Sequence, residues 1–475
     1  MSKKQFYITT PIYYVNDKPH IGHAYTTITA DVFARFWRLK LGKENVFFLT
    51  GTDEHGSKVQ KAAETAGLSP KEFTDKVVNE YLDVWKLLNI SNDEFIRTTD
   101  PRHEKIVSDF LVKLFDRGYI YKGVYKGLYC VGCERFYAPE ETKNEFCIYH
   151  PDIKLTEQKE ENYFFKLKEF SSKVLSALEK DEYKVLPSQR KNEIVGKIKQ
   201  GINDISISRA GVSWGIPLTW DKSQTIYVWI DALLNYYSAT KIFDGKEKFW
   251  PAQLHLMAKD ILWFHALIWE AILIANEVSL PEVVYAHGFF TIDGQKMSKS
   301  IGNVIDPKDL VNEYGVDGTR YLLLTAFSFG YDGDISLSKF KEKYNADLAN
   351  GLGNLVSRIA KLSEGVELGH SMSKWTSNVQ ISAEIGEYIE QYKPDEALKF
   401  IWSNIKKLDH SIAKDEPWKL TEEEKLKLVP EYLKKIVDIA LDLRVFLPDT
   451  AEKILNIFTS GEVKKPEPLF MRKPQ

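Results

Sequence analysis

The sequence predicts an α/β protein: a parallel sheet, split by an insertion, followed by an all-α helical bundle. Three observations lead there. Short apolar runs alternate with helical repeats through the first half. All three cysteines crowd into one short stretch, at positions 130, 133 and 147. Beyond about Lys341 the apolar repeats have helical spacing, and no convincing strand follows.

The elements follow in order. Residues 6–10, Phe-Tyr-Ile-Thr-Thr, read as a buried strand, and residues 45–50, Asn-Val-Phe-Phe-Leu-Thr, as a second. Between them Ile21, Ala24, Ile28, Val32 and Phe36 recur at three- and four-residue spacing, which is one helix face. Strand, helix, strand is a βαβ unit and implies a parallel sheet. From Gly118 to Ser223, short Tyr/Gly-rich stretches, the cysteines and polar turns mark an insertion. The α/β pattern resumes at 224–230, Gln-Thr-Ile-Tyr-Val-Trp-Ile, and at 253–257, Gln-Leu-His-Leu-Met. Asp293-Gly294 predicts a tight hairpin and Asp306-Pro307 a helix start. Leu352, Leu355, Val356, Ile359 and Leu362 repeat helically, as do Ala397, Phe400, Ile401, Ile405 and Leu408, then Leu433, Ile436, Val437, Ala440 and Leu443. The tail from Val463 reads as a strap.

Composition limits the function classes. With 475 residues, 44% hydrophobic and 13% aromatic, the chain can bury large cores and is no disordered polymer. A formal charge of -3 announces no nucleic-acid partner, so such a partner has to meet a local basic face. Three cysteines make no disulfide framework. The N-terminus has no apolar signal region, and runs such as residues 271–275 are far short of a membrane span. A soluble, unprocessed, cytoplasmic protein is expected.

Three motifs carry chemistry. His20-Ile21-Gly22-His23 follows the first strand and opens the first helix. Helix N-termini favour phosphates, Gly22 leaves room for a nucleotide, and two imidazoles can donate to phosphate oxygens. Lys296-Met297-Ser298-Lys299-Ser300 follows the hairpin, where two lysines on a polar loop can grip the β- and γ-phosphates. Cys130-x-x-Cys133 and Cys147-x-x-His150 have the paired spacing of a tetrahedral zinc site with no open ligand position.

The first two motifs together resemble the signature pair of class I aminoacyl-tRNA synthetases. Neighbouring stretches resemble the methionine-specific members, of the bacterial and organellar type with one zinc knuckle: Thr10-Pro-Ile-Tyr-Tyr-Val-Asn16, Thr50-Gly-Thr-Asp-Glu-His-Gly56, Tyr227-Val-Trp-Ile-Asp-Ala-Leu-Leu-Asn-Tyr236 and Lys259-Asp-Ile-Leu-Trp-Phe-His265. The resemblance runs from about Tyr7 to the end. It implies a Rossmann-like catalytic domain in two halves, 1–117 and 224–295, around a zinc-bearing connective insertion, 118–223. A signature-loop and stem-contact segment, 296–340, and a helical anticodon-binding domain, 341–475, then follow. It implies joining of methionine to tRNA(Met) through methionyl-adenylate, with Mg2+ arriving on ATP and one structural Zn2+. His20, His23, Lys296 and Lys299 are the expected catalytic residues, and Gly22, Asp260 and His287 complete the ATP site. Ile12, Tyr14, Asp53, Trp229, Ala232, Leu233, Tyr236, Ile261, Phe264 and His265 are expected around methionine. Asp53 and Ile12 take the ammonium end, and Tyr14 and His265 set the polarity near the sulfur. The pocket also makes sense on its own terms, since a polarizable thioether gains from aromatic contact. Ile261, Phe264, His265 and Ile268 fall on one face of a regular helix. Asn354, Arg358 and Trp418 are expected at the anticodon, where Arg reads base edges and Trp stacks an unpaired base. Packing within the bundle is the alternative for Trp418.

Leucine, isoleucine and valine enzymes share both signatures but need a large editing insertion, because a pocket discriminates one methylene by only about 1–3 kcal/mol. Residues 118–223 are too few for that plus a zinc knuckle. A cysteine enzyme needs zinc in the amino-acid pocket, not in the insertion. A non-catalytic tRNA-binding paralogue is expected to lack part of the signature pair. The chain stops soon after the bundle, so a monomer is expected.

Overall fold

A computed structural model gives the architecture; it describes residues 4–131, 135–137, 145–147, 153–297, 302–364, 380–459, 463–464 and 466–474. A six-stranded sheet organises the first half. Its strands are β1 (Phe6–Tyr14), β2 (Val46–Asp53), β3 (Glu94–Arg97), β4 (Lys184–Leu186), β5 (Leu254–Ala258) and β6 (Val283–His287). Their spatial order is β3-β2-β1-β5-β6-β4, and every pairing is parallel. Parallel pairing needs crossover connections, and helix α1 (Ile21–Leu41) makes the first of them. Its predicted face, Ile21 to Phe36, is buried.

Strand alternation divides the interior. Phe6, Ile8, Val46 and Phe48 point into a core that runs from α1 through helix Pro307–Leu324 into the helical bundle. Tyr7, Phe47 and Leu49 point to the opposite face. A second large core covers the other half of the sheet, with helices Leu167–Glu179, Ser188–Gln200 and Trp269–Ala275. Edge strand β4 comes from within the stretch read as an insertion, so that stretch also lends the main sheet a strand.

Two sequence expectations need correcting. Residues 224–230 do not continue as a strand. Only Thr225–Ile226 pairs, antiparallel to Ser208–Arg209, and Val228–Leu233 is helix. An apolar run of this length fits either state. Phe264–Ile268 is a π-helical segment, so its side chains do not keep the regular 3.6-residue face. The hairpin follows the prediction: Phe290–Ile292 pairs with Gln295–Lys296 across Asp293 (φ 49°) and Gly294 (φ 76°), both left-handed. Asp306 caps the helix that starts at Pro307.

Cys130 ends strand Ile120–Cys130 of a four-stranded antiparallel sheet. It is buried with Cys147, Tyr137 and Leu155 in a separate small core. Beyond strand Gly333–Ile335 the described elements are all helices. Leu352, Leu355, Val356 and Ile359 are buried along Tyr344–Gly353 and Asn354–Leu362, and helices Pro394–Asp415 and Glu422–Leu443 bury the other two predicted stripes, with Leu362 and Phe400 half-buried; helices Ala383–Glu390 and Pro448–Thr459 complete the bundle. Among the described residues no helix is long and apolar enough to cross a membrane.

Candidate active site at the carboxyl edge of the sheet

In an open parallel sheet, ligands bind at the carboxyl ends of the strands where the strand order reverses. Here that point lies between β1 and β5. The carboxyl ends of β1, β2, β5 and β6 carry Tyr14, Asp53, the Lys259–Ile261 turn with Asp260, and His287. A one-residue bulge between Thr9 and Ile12 shifts the β1–β2 register, and Pro11, which has no N–H to donate, sits in it.

His20 is the N-cap of α1. Its Nδ1 accepts from the Gly22 N–H at 3.0 Å, and His23 Nδ1 accepts from the His20 N–H at 3.3 Å. This reciprocal cap makes both Nδ1 atoms acceptors, so each neutral ring carries its proton on Nε2. The two rings stack at 3.8 Å. Burial among Tyr13 and Tyr81, then the neighbouring His20, holds the His23 pKa well below 6.5. Gly22 has a further reason to be glycine: a Cβ there would lie 2.8 Å from His20 Cε1. His287 Nδ1–H donates to the Gly288 carbonyl at 2.8 Å, and Thr26 donates to its Nε2 at 2.8 Å. Burial pushes its pKa down to about 4.

The aromatic cleft lies beside this edge. Trp229 and Phe264 stack at 4.0 Å and 7°. Tyr236 donates to His265 Nε2 at 2.7 Å, while His265 Nδ1–H donates to the Ile261 carbonyl at 2.9 Å. His265 is thereby fixed as one neutral tautomer, and burial takes its pKa to about 4. Tyr236, Ala232, Leu233 and Phe264 are buried, whereas Ile12, Tyr14, Trp229 and Ile261 stay partly open, as a binding wall must. Asp53 is buried at the end of β2, and its charge reaches Tyr236. Asp260 is exposed.

Ser298 and Lys299 lie outside the described residues, as do Cys133, His150 and the side chain of Lys296. Among the described residues no three metal-ligating side chains cluster. Asn354 is exposed and Arg358 half-buried on helix Asn354–Leu362, and the guanidinium pairs with Asp409 Oδ1 at 2.9 Å. Trp418 is 55% exposed on the short turn Pro417–Lys419 between two long helices.

Sequence reasoning did not single out the polar network behind the cleft. Glu54, fully buried, accepts from Arg97 Nε at 2.6 Å, Arg97 Nη2 at 2.7 Å, Thr52 at 2.7 Å and Thr99 at 2.6 Å. Asp231 bridges His55 and His103. The signal was the Asp-Glu-His run after β2, which only the fold connects to Asp231.

Known proteins are similar over the whole chain. The family described as tRNA synthetases class I (M) matches residues 6–360. The methionine--tRNA ligase of Clostridium acetobutylicum is 41% identical over 476 residues, covering 95% of this chain and 73% of that protein. The Streptomyces coelicolor methionine--tRNA ligase is 40% identical, covering 95% and 89%. Mycobacterium tuberculosis methionyl-tRNA synthetase in complex with methionyl-adenylate superposes with a TM-score of 0.90 at 31% identity, covering 99% of this chain and 100% of that one. Its free-state structure superposes at 0.81 and 28%. With a capped His-x-Gly-His turn and an aromatic cleft at the sheet's carboxyl edge, and with these matches, the chain belongs to the class I tRNA synthetases of the methionine group.

Proposed function

We propose that the chain is a methionine--tRNA ligase whose two steps run at the carboxyl edge of the sheet. The observation that carries this reading is the reciprocally capped His20–His23 pair at the start of α1. It presents two neutral Nε2–H donors beside the positive end of a helix dipole, where a triphosphate is stabilised. In the first step a methionine carboxylate oxygen bonds to the α-phosphorus of ATP. The bond from that phosphorus to the bridging oxygen breaks, and pyrophosphate leaves. No protein nucleophile is needed, because catalysis of this kind is positioning and charge stabilisation. His20 and His23 serve the α-phosphate and ribose end, Lys296 and Lys299 hold the leaving pyrophosphate, and Gly22, Asp260 and His287 line the nucleotide. Mg2+ arrives with ATP. In the second step the terminal tRNA hydroxyl attacks the methionyl carbonyl and AMP leaves.

Methionine lies with its ammonium toward Asp53 and Ile12 and its side chain among Tyr14, Trp229, Ala232, Leu233, Tyr236, Ile261 and Phe264. His265, locked as an acceptor for Tyr236, leaves no proton on Nε2 toward the thioether. Asn354, Arg358 and Trp418 take the anticodon. The chain works in the cytoplasm as a monomer, with the five segments named above as its functional parts. The buried thiols of Cys130, at the end of a strand, and Cys147, from a separate segment, share one small core and fit a zinc ion. Cys133 and His150 would supply the other two ligands, and the ion would act there as a structural cross-link.

Methionine-dependent ATP–pyrophosphate exchange without tRNA tests the reading. Methionine is expected to drive exchange best of the twenty amino acids; exchange led by leucine, valine or cysteine rejects it.

A further inference from the structure

Among the described residues, a buried polar cluster outside those already assigned a role joins three helices and the loop after β2. Asp231, in helix Val228–Leu233, accepts from His55 Nδ1 at 2.7 Å through Oδ2 and from His103 Nε2 at 2.8 Å through Oδ1. His103, in helix Pro101–Asp116, is hydrogen-bonded through its other nitrogen to the Ser238 hydroxyl at 2.6 Å. Asp231, His103 and Ser238 are at most 1% exposed, and His55 is 4% exposed. Burial alone would raise the Asp231 pKa, but His55 and His103 outweigh it and keep the carboxylate ionised.

Position gives the cluster its meaning. His55 lies two residues beyond Asp53, and Asp231 lies between Trp229 and Ala232. The Asp53–Gly56 turn is held on its other side by Glu54 and Arg97, and by Trp214, whose indole N–H donates to the Glu54 carbonyl at 2.6 Å. One wall of the cleft is therefore pinned to the sheet, and Asp231 is the tie between that wall and the opposite one. A carboxylate accepts from both imidazoles at once. A carboxamide of the same size accepts from one and clashes with the N–H of the other.

We propose that Asp231 is a positioning residue for amino-acid selection: by bridging His55 and His103 it fixes the separation between the wall bearing Asp53 and the wall bearing Trp229, Ala232 and Leu233. Methionine spans that separation from ammonium to thioether, so the tie sets which length of side chain is seated. The inference rests on the assignment of the cleft to methionine. It concerns binding geometry and not chemistry at phosphorus.

The test is pyrophosphate exchange by the full chain with methionine, ethionine and S-methylcysteine. Asp231→Asn is expected to raise KM for methionine by about tenfold or more, leave KM for ATP within about twofold, and erode the preference for methionine over ethionine. His103→Ala, a residue remote from the substrate, is expected to do the same more weakly. His103→Gln, which retains an N–H donor toward Oδ1, recovers most of that loss. A lower Tm with methionine KM unchanged, or equal rises in KM for methionine and ATP, overturns the proposal alone. If Asp231→Asn does not fold, the His103 pair decides by the same criteria. No methionine-driven exchange by the unaltered chain overturns the cleft assignment and the proposal with it.

Discussion

His265 and His287 carry a signature that pH reads directly. Both are buried neutral with pKa values near 4, against 6.5 for an exposed histidine. Between those values the unfolded chain binds a proton at each site that the folded chain refuses, so stability falls as pH drops from about 6.5 toward 4 and changes no further below. At 1.36 kcal/mol per pKa unit the loss is on the order of 3 kcal/mol for each imidazole. Tm measured from pH 7.5 to 4.5 is expected to fall less steeply in His265→Gln than in the unaltered chain; parallel curves contradict it. Trp418 carries the second residue-scale prediction. A stacked base is worth roughly 1–3 kcal/mol by alanine substitution, so Trp418→Ala should weaken tRNA aminoacylation by about one to two decades. Exchange without tRNA and Tm should stay nearly unchanged, since the ring is 55% exposed and supports little packing. A marked loss of Tm, with normal discrimination between tRNAs of native and altered anticodon, would return Trp418 to a packing role.

At the scale of elements, legibility tracked length and punctuation. Strand β1, helix α1 and the stripe of helix Glu422–Leu443 were readable because periodic burial writes a long, regular pattern. The hairpin at Asp293-Gly294 and the start at Asp306-Pro307 were readable because few residues meet those backbone demands. Strand β4 was not, because three residues cannot show a period. The π segments at Phe264–Ile268 and Tyr344–Gly353 were invisible for another reason: an extra residue per turn is set by tertiary contacts, not by composition. Within the candidate site the signature residues were legible from spacing, whereas Asp231 and its imidazoles needed the fold to meet. The cysteine-bearing element yields its own prediction. Elemental analysis should return about one zinc per chain, and Cys130→Ala with Cys147→Ala should release it. Unchanged zinc in that double variant would place the metal elsewhere.

Across the whole molecule, the buried side chain of Arg320 ties the sheet region to the helical bundle. Arg320, from helix Pro307–Leu324, reaches Asp31 of α1 at 2.7 Å, the Phe446 carbonyl at 2.8 Å and the Leu88 carbonyl at 3.2 Å, with both charged side chains fully buried. Removing the cation does not strand Asp31, which keeps Arg35 Nε at 2.7 Å and the Ser91 N–H and hydroxyl, so the cost is expected to fall below the about 3–5 kcal/mol of an uncompensated buried charge. Arg320→Met is therefore expected to lower Tm moderately, and adding Asp31→Leu to recover none of the loss, because Arg35 and Ser91 then lose their acceptor. A double variant more stable than the single one would show that an uncompensated charge on Asp31, not lost hydrogen bonds, sets the cost. The parallel sheet has a consequence of a different kind, in the timing of synthesis. Strand β1 emerges early but pairs on one side with β5, matching Ile8 to Leu254, and Tyr7 bonds Gln253 across 246 positions. At ribosomal speeds of about 5–20 residues per second, that edge of β1 waits roughly 12 to 50 s for its neighbour to leave the exit tunnel. Throughout that interval a row of backbone amides flanked by Phe6, Tyr7 and Ile8 lies open to any passing strand. Mispairing at that edge is therefore the hazard that this strand order builds into synthesis.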